Sequence, residues 1–130
     1  MIDGFSMMVR EAKRQGKVQG IRLSASVSIT HVLFVDDVLL FGLDSVDEWE
    51  HYDGLIKLSC LASGMEISTQ KSCFIKPVVM NECVASELFP YSVKDLEFSF
   101  NYLGFFLKPS GYGIKDWRWL FDRVDKKLGV

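Results

Sequence analysis

The stretch His31-Val32-Leu33-Phe34-Val35-Asp36-Asp37-Val38-Leu39-Leu40-Phe41-Gly42 decides how the rest of this chain is read. Two short apolar runs flank two adjacent carboxylates. Runs separated by two residues have hairpin spacing, which puts Asp36 and Asp37 at the bend. Burying an unpaired carboxylate costs on the order of several kcal/mol, and neighbouring carboxylates repel, so apolar framing of this pair needs a reason. A divalent cation supplies one. Mg²⁺ takes hard oxygen ligands from one or two carboxylates and completes its shell with water and phosphate. In phosphoryl transfer two such ions stabilise the attacking and leaving oxygens. The same pair also reads as an Asp turn facing water, since Asp is a favoured turn residue. Two carboxylates are in any case an incomplete set for a two-metal centre.

Working outward, Phe5, Met8, Val9 and Ala12 fall at helical spacing, and Gly16 supplies a left-handed stop. Residues 25–30 alternate apolar and hydroxyl side chains, as in a half-buried strand. Downstream, Ser45-Val46-Asp47-Glu48 matches a capping box. The helix it starts has a stripe that includes Val46, Trp49, Ile56 and Leu61, and Ser63-Gly64 ends it; Gly54 weakens its middle. Short strands follow at 65–67 and 72–75, the second closed by Pro77. A modest helix is expected over 81–88, strands over 96–100 and 102–107, and a turn at Pro109-Ser110-Gly111. Trp117, Leu120, Phe121, Val124 and Leu128 then mark an amphipathic helix cut off at Val130. Helices mixed with hairpins, without regular βαβ alternation, predict an α+β fold with helices on one face of an antiparallel sheet.

The 130 residues, 48% of them apolar, suit one core rather than two. The net charge of -2 gives no global sign of phosphate binding, but its layout is uneven. Arg10, Lys13, Arg14, Lys17 and Arg22 outweigh Asp3 and Glu11 near the start. Seven acids from Asp36 to Asp53 face the single Lys57. Such a layout suits a cation site beside an anionic ligand, and equally a solvated acidic face. Cys60, Cys73 and Cys83 have neither disulfide-framework nor zinc spacing, which points to a reduced, intracellular protein, nucleus or cytoplasm unspecified. His31 and His51 read as structural or surface residues. There is no apolar run of membrane-spanning length and no secretory leader pattern, so no membrane partner is expected.

The 29–41 block closely resembles the aromatic-x-Asp-Asp block of reverse transcriptases in the form found in non-LTR, LINE-type retrotransposons. The likeness extends along the chain in order. Phe5 to Gly16 with Val18-Gln19-Gly20-Ile21 resembles the helix and Gly-Ile strand that precede that block. Ser63-Gly64-Met65-Glu66-Ile67-Ser68-Thr69-Gln70-Lys71-Ser72 is similar to the family's Ser-Gly-Leu-x-Ile-Asn-x-x-Lys-Ser segment. Phe100-Asn101-Tyr102-Leu103-Gly104-Phe105-Phe106-Leu107 is similar to its Tyr-Leu-Gly hairpin, and the Trp117 helix resembles the opening of the thumb.

The resemblance implies a partial polymerase palm over 1–108 and the truncated start of a thumb over 109–130. It implies RNA-directed DNA polymerase ancestry, with RNA template, DNA primer and deoxynucleoside triphosphates as partners and Mg²⁺ or Mn²⁺ as cofactor. Asp36 and Asp37 would ligate the metal, Asp37 being the less indispensable. Lys71 would lie near the triphosphate, although it also reads as a solvated turn lysine. Tyr102, Leu103 and Gly104 would grip the primer terminus, although a Tyr-Leu pair in an apolar strand is ordinary core. Lys126 and Lys127 would touch template-primer phosphates, or only complement a helix dipole. Absent are the other metal-binding aspartate and the nucleotide-positioning Gly-Pro-Leu-Ser-type segment. Val35 stands where Ala is common and Ser68 where Asn is usual. The isolated chain is therefore expected to bind its metal weakly, to be inactive and to self-associate through an uncovered sheet edge. A non-catalytic binding module and an inactive remnant are the competing readings.

Overall fold

In the computed structural model the described residues are 2–43, 45–76, 87, 89–95, 100–102, 105–107 and 113–129. They form an α+β arrangement of three helices, α1 (Ile2–Arg14), α2 (Val46–Ser63) and α3 (Ile114–Leu128), with eight short strands. The strands are β1 (Ile21–Arg22), β2 (Ser28–Ile29), β3 (His31–Phe34), β4 (Asp37–Leu40), β5 (Cys73–Lys76), β6 (Ser92–Asp95), β7 (Phe100–Tyr102) and β8 (Phe105–Leu107). Among the described residues they pair as four two-stranded sheets instead of the one expected antiparallel sheet. Three pairs are antiparallel; β5 and β6 run parallel, with Lys76 opposite Asp95.

The helix ends follow from their residues. Gly16, at φ 74°, closes α1 by giving its N–H to the Lys13 carbonyl at 3.0 Å while Lys17 N–H reaches Ala12 at 2.9 Å. That is the double hydrogen bond of a Schellman stop, in which the first of the two donors is left-handed, a position that favours glycine. Ser45 caps α2 by accepting from Glu48 N–H, and left-handed Gly64 ends it. The expected capping box is only half formed, because the Glu48 side chain turns elsewhere. At α3 the Asp116 carboxylate accepts from Gly113 N–H at 2.7 Å, and Gly129 closes the helix in the left-handed region.

The main core lies between α1, α2 and the β3–β4 hairpin. Phe5, Val9 and Ala12 of α1 are buried with Val18 and Tyr52, and Leu33, Leu40, Trp49, Leu55 and Ile56 pack around them. A second cluster joins Phe74 and Phe89 to Tyr91, Val93 and again Trp49 and Ile56. The stripe expected on α2 is partly wrong. Trp49 and Ile56 pack inward, but Val46 is exposed and Leu61 is 84% exposed, while Tyr52 takes the innermost place. Apolar residues lie on several faces of α2, so helical periodicity does not single out one.

Three expected strands also change. Residues 25–30 keep only the two-residue β2, with a bend before it. Residues 65–67 follow the α2 cap as exposed chain outside any strand, and Met65 and Ile67 find no core to enter. The strand expected over 72–75 is β5, shifted by one residue and paired in parallel. The expected helix at 81–88 (Glu87, which is helical, excepted), residues 96–99, and the Pro109-Ser110-Gly111 turn lie outside the described residues.

A candidate metal-binding hairpin

The hairpin that carries the two aspartates is set by its register. His31 pairs with Leu40, Val32 with Leu39, Leu33 with Val38 and Phe34 with Asp37. The two-residue turn is therefore Val35-Asp36, and Asp37 is the first residue of β4, one place along from the expected bend at both aspartates. Alternation then puts Leu33 and Leu40 against the core and Phe34 and Asp37 on the other face. Both carboxylates are exposed at the tip. Val35 has φ 52°, the sign a type II′ turn requires at its first central position, where glycine is usual. A β-branched residue there costs about 1–2 kcal/mol, so the tip is held in a strained turn by the pairing below it.

The base of the hairpin is anchored by Tyr52, which the sequence does not single out, and by Glu48, which the sequence assigns to a helix cap instead. Tyr52, fully buried, donates its hydroxyl to the Phe41 carbonyl at 2.6 Å and to the Thr30 carbonyl at 3.4 Å, so it bridges the residues just outside both strands. Burial, followed by the charge of Glu48, raises its pKa and keeps it a neutral donor. Glu48 is buried and accepts from Gln19 N–H and Gly20 N–H, both at 2.8 Å, and from Leu43 N–H at 3.3 Å. One carboxylate thereby ties the chain leading into β1 and the chain leaving β4 to α2. Gly20 is obligatory in this arrangement: φ is 73°, and a Cβ would lie 2.1 Å from the Ile29 carbonyl oxygen. His31 is held between the Ser6 and Thr30 hydroxyls at 2.8 and 2.9 Å, and burial, then Arg10 and Lys13, lower its pKa. Its structural reading stands.

Tyr102 on β7 is the one other expected site residue brought near the pair. Its hydroxyl is buried without a hydrogen-bond partner, and its pKa is raised first by burial and then by the Asp37 carboxylate. Leu103 and Gly104, the rest of the expected primer grip, lie outside the described residues. Lys71 sits exposed in the turn at 69–71, its backbone N–H on the Ser68 carbonyl, and makes no ion pair with either aspartate among the described residues. Lys126 and Lys127 occupy the exposed last turn of α3, where they complement its dipole.

Two adjacent exposed carboxylates fit the part of a Mg²⁺ or Mn²⁺ shell that a protein supplies when phosphate and water supply the rest. Among the described residues no group of three or more His, Cys, Asp or Glu side chains is placed to enclose a metal. A cation held by this pair would need further ligands. No helix among the described residues is long and apolar enough to cross a membrane. No protein-family model and no curated protein matches the chain.

Proposed function

We propose that the chain is part of the palm of a LINE-type reverse transcriptase, in which Asp36 and Asp37 hold a divalent cation against the phosphates of a nucleotide or nucleic acid. The observation that carries this reading is the strained Val35-Asp36 turn, which exposes two neighbouring carboxylates on a hairpin rooted in the α1–α2 core. Strain at an exposed tip persists only where the rest of the structure imposes it, and it gathers at functional sites. The order of motifs along the chain, from the Phe5 helix through the Asp pair to the Tyr102 hairpin, supports the choice of family.

When bound, the cation would neutralise charge on phosphate oxygens and activate the attacking hydroxyl. The residues of this chain have more limited parts. Asp36 and Asp37 bind and orient, Tyr102 offers a donor beside Asp37, and Glu48 and Tyr52 fix the hairpin that presents them. Because the set of metal ligands is incomplete, the chain alone is a binding unit and not a polymerase. Mn²⁺ added to the isolated chain should broaden the NMR signals of Asp36, Asp37 and their neighbours, with the broadening lost in Asp36→Asn/Asp37→Asn. The chain alone should give no templated nucleotide incorporation. Broadening centred elsewhere, or incorporation that disappears in Asp36→Ala, would each refute a part of this reading: the first the site, the second the claim of inactivity.

A further inference from the structure

The described structure leaves open two apolar surfaces of complementary form. The first is a groove of about 560 Å³ between α1 and α2, floored by Met7, Met8, Ala12, Leu55 and Leu58. Its lining runs from Met7 on α1 to Gln15 and Lys17 just past that helix, and from Glu50 to Leu58 on α2, about 12 Å along α2 at about 1.5 Å per residue. Gly54 leaves the α2 wall without a side chain in its middle, and nothing lies within 4 Å of where its Cβ would be. The second surface is the apolar stripe of α3. Ile114, Phe121, Val124 and Leu128 are 80%, 59%, 45% and 71% exposed, and no residue of that helix is buried. From Phe121 to Leu128 the stripe covers about 10 Å, which fits within the roughly 12 Å of the groove.

Charge fixes both the match and its direction. α3 carries five basic and three acidic residues, with Lys126 and Lys127 in its last turn. The first two turns of α2 present Asp47 and Glu50, while Asp53 is already paired with Lys57 and Glu11 across the groove with Arg14, both at 2.6 Å. A helix laid antiparallel to α2 would bring Lys126 and Lys127 to Asp47 and Glu50, and would set the two helix dipoles side by side and opposed.

We propose that the α1–α2 groove receives the α3 helix of a second copy of this chain. Phe121, Val124 and Leu128 enter the groove beside Leu55 and Leu58, and the exchange is reciprocal, giving a closed two-fold dimer. This surface is separate from the β3–β4 edge and does not depend on the proposed function.

Analytical ultracentrifugation of the full chain over a concentration series tests it, with circular dichroism to verify folding of each variant. The chain should sediment as a dimer. Phe121→Glu and Leu58→Glu, both at exposed positions, should each weaken dimerisation by at least about tenfold, as loss of a central anchor does. Glu50→Lys should weaken it too, and pairing Glu50→Lys with Lys127→Glu should restore it. The hairpin variant Val38→Lys should leave the dimer intact. The proposal is overturned by a chain that stays monomeric at the highest concentration, or by a dimer that survives Phe121→Glu and Leu58→Glu. Dissociation by Val38→Lys alone would place the contact on the sheet edge and overturn it as well. So would a monomer that floats with anionic phospholipid vesicles through Phe121, since the helix would then serve a membrane surface.

Discussion

Replacing Glu48 is the most exacting test of how the hairpin is held. In Glu48→Ala the backbone N–H groups of Gln19, Gly20 and Leu43 lose their acceptor together. Gly20 is buried, so its orphaned donor carries close to the full desolvation cost of about 2–3 kcal/mol. Gln19 and Leu43 are at the surface, where water takes over, and together they add about 1–2 kcal/mol. The expected loss is about 3–5 kcal/mol, a large share of the roughly 5–15 kcal/mol typical of a domain. Glu48→Gln keeps one carbonyl oxygen for Gln19 and Gly20 but turns an amide donor toward Leu43 N–H, so it should cost about 1–2 kcal/mol. Urea denaturation with an unchanged m-value measures both, and hydrogen exchange at the Gly20 amide should accelerate in the alanine variant. An alanine variant within about 1 kcal/mol of the parent, with Gly20 still protected, would show that the carboxylate does not anchor these loops.

Val35→Gly should stabilise the chain by about 1 kcal/mol, since the side chain is 73% exposed and gives up little packing when the positive φ is relieved; a lower urea midpoint would contradict this. Tyr52→Phe leaves the Phe41 carbonyl without its hydroxyl donor and should cost about 1–3 kcal/mol, and a neutral result would mean that water replaces the phenol. The lowered pKa of His31 means that the folded state binds its proton less readily than the unfolded chain does. Stability should therefore be fully present above about pH 6.5 and decline as the pH falls below it, and the part of that slope due to His31 should vanish in His31→Gln; an unchanged slope would rule it out.

What was legible in the sequence was local. Phe5, Val9 and Ala12 declare α1 by spacing, Gly16 and Gly64 declare their stops by the backbone conformation each allows, and the apolar runs about the aspartates declare a hairpin. The one-residue error at its tip arose because Val35, an unfavourable turn residue, looks like the end of a strand. The roles of Glu48 and Tyr52 are hidden for a different reason. Glu48 reads as the capping-box partner of Ser45, and a tyrosine between a histidine and an aspartate looks solvated; the amides of Gln19 and Gly20 and the carbonyls of Thr30 and Phe41, 11 to 29 positions away, show otherwise. The parallel β5–β6 pairing was illegible because no turn links its strands. The cross-strand ion pair of Lys76 with Asp95 appears only once they are side by side.

The two apolar clusters share one seam, Trp49 and Ile56, two turns apart on α2. Trp49 meets Tyr52 at 5.2 Å on one side and Phe74 at 5.0 Å, edge-on, on the other. Among the described residues the two clusters are coupled through these two side chains, because an all-or-none transition requires that neither cluster melt without removing surface from the other. Trimming Trp49 would cut that linkage and leave the β5–β6 half to open as a unit of its own, at a lower temperature than the hairpin half. An indole set in that seam also reports on it: with Trp117 and Trp119 replaced by Phe, the fluorescence of Trp49 should follow the separation of the halves before the chain as a whole unfolds.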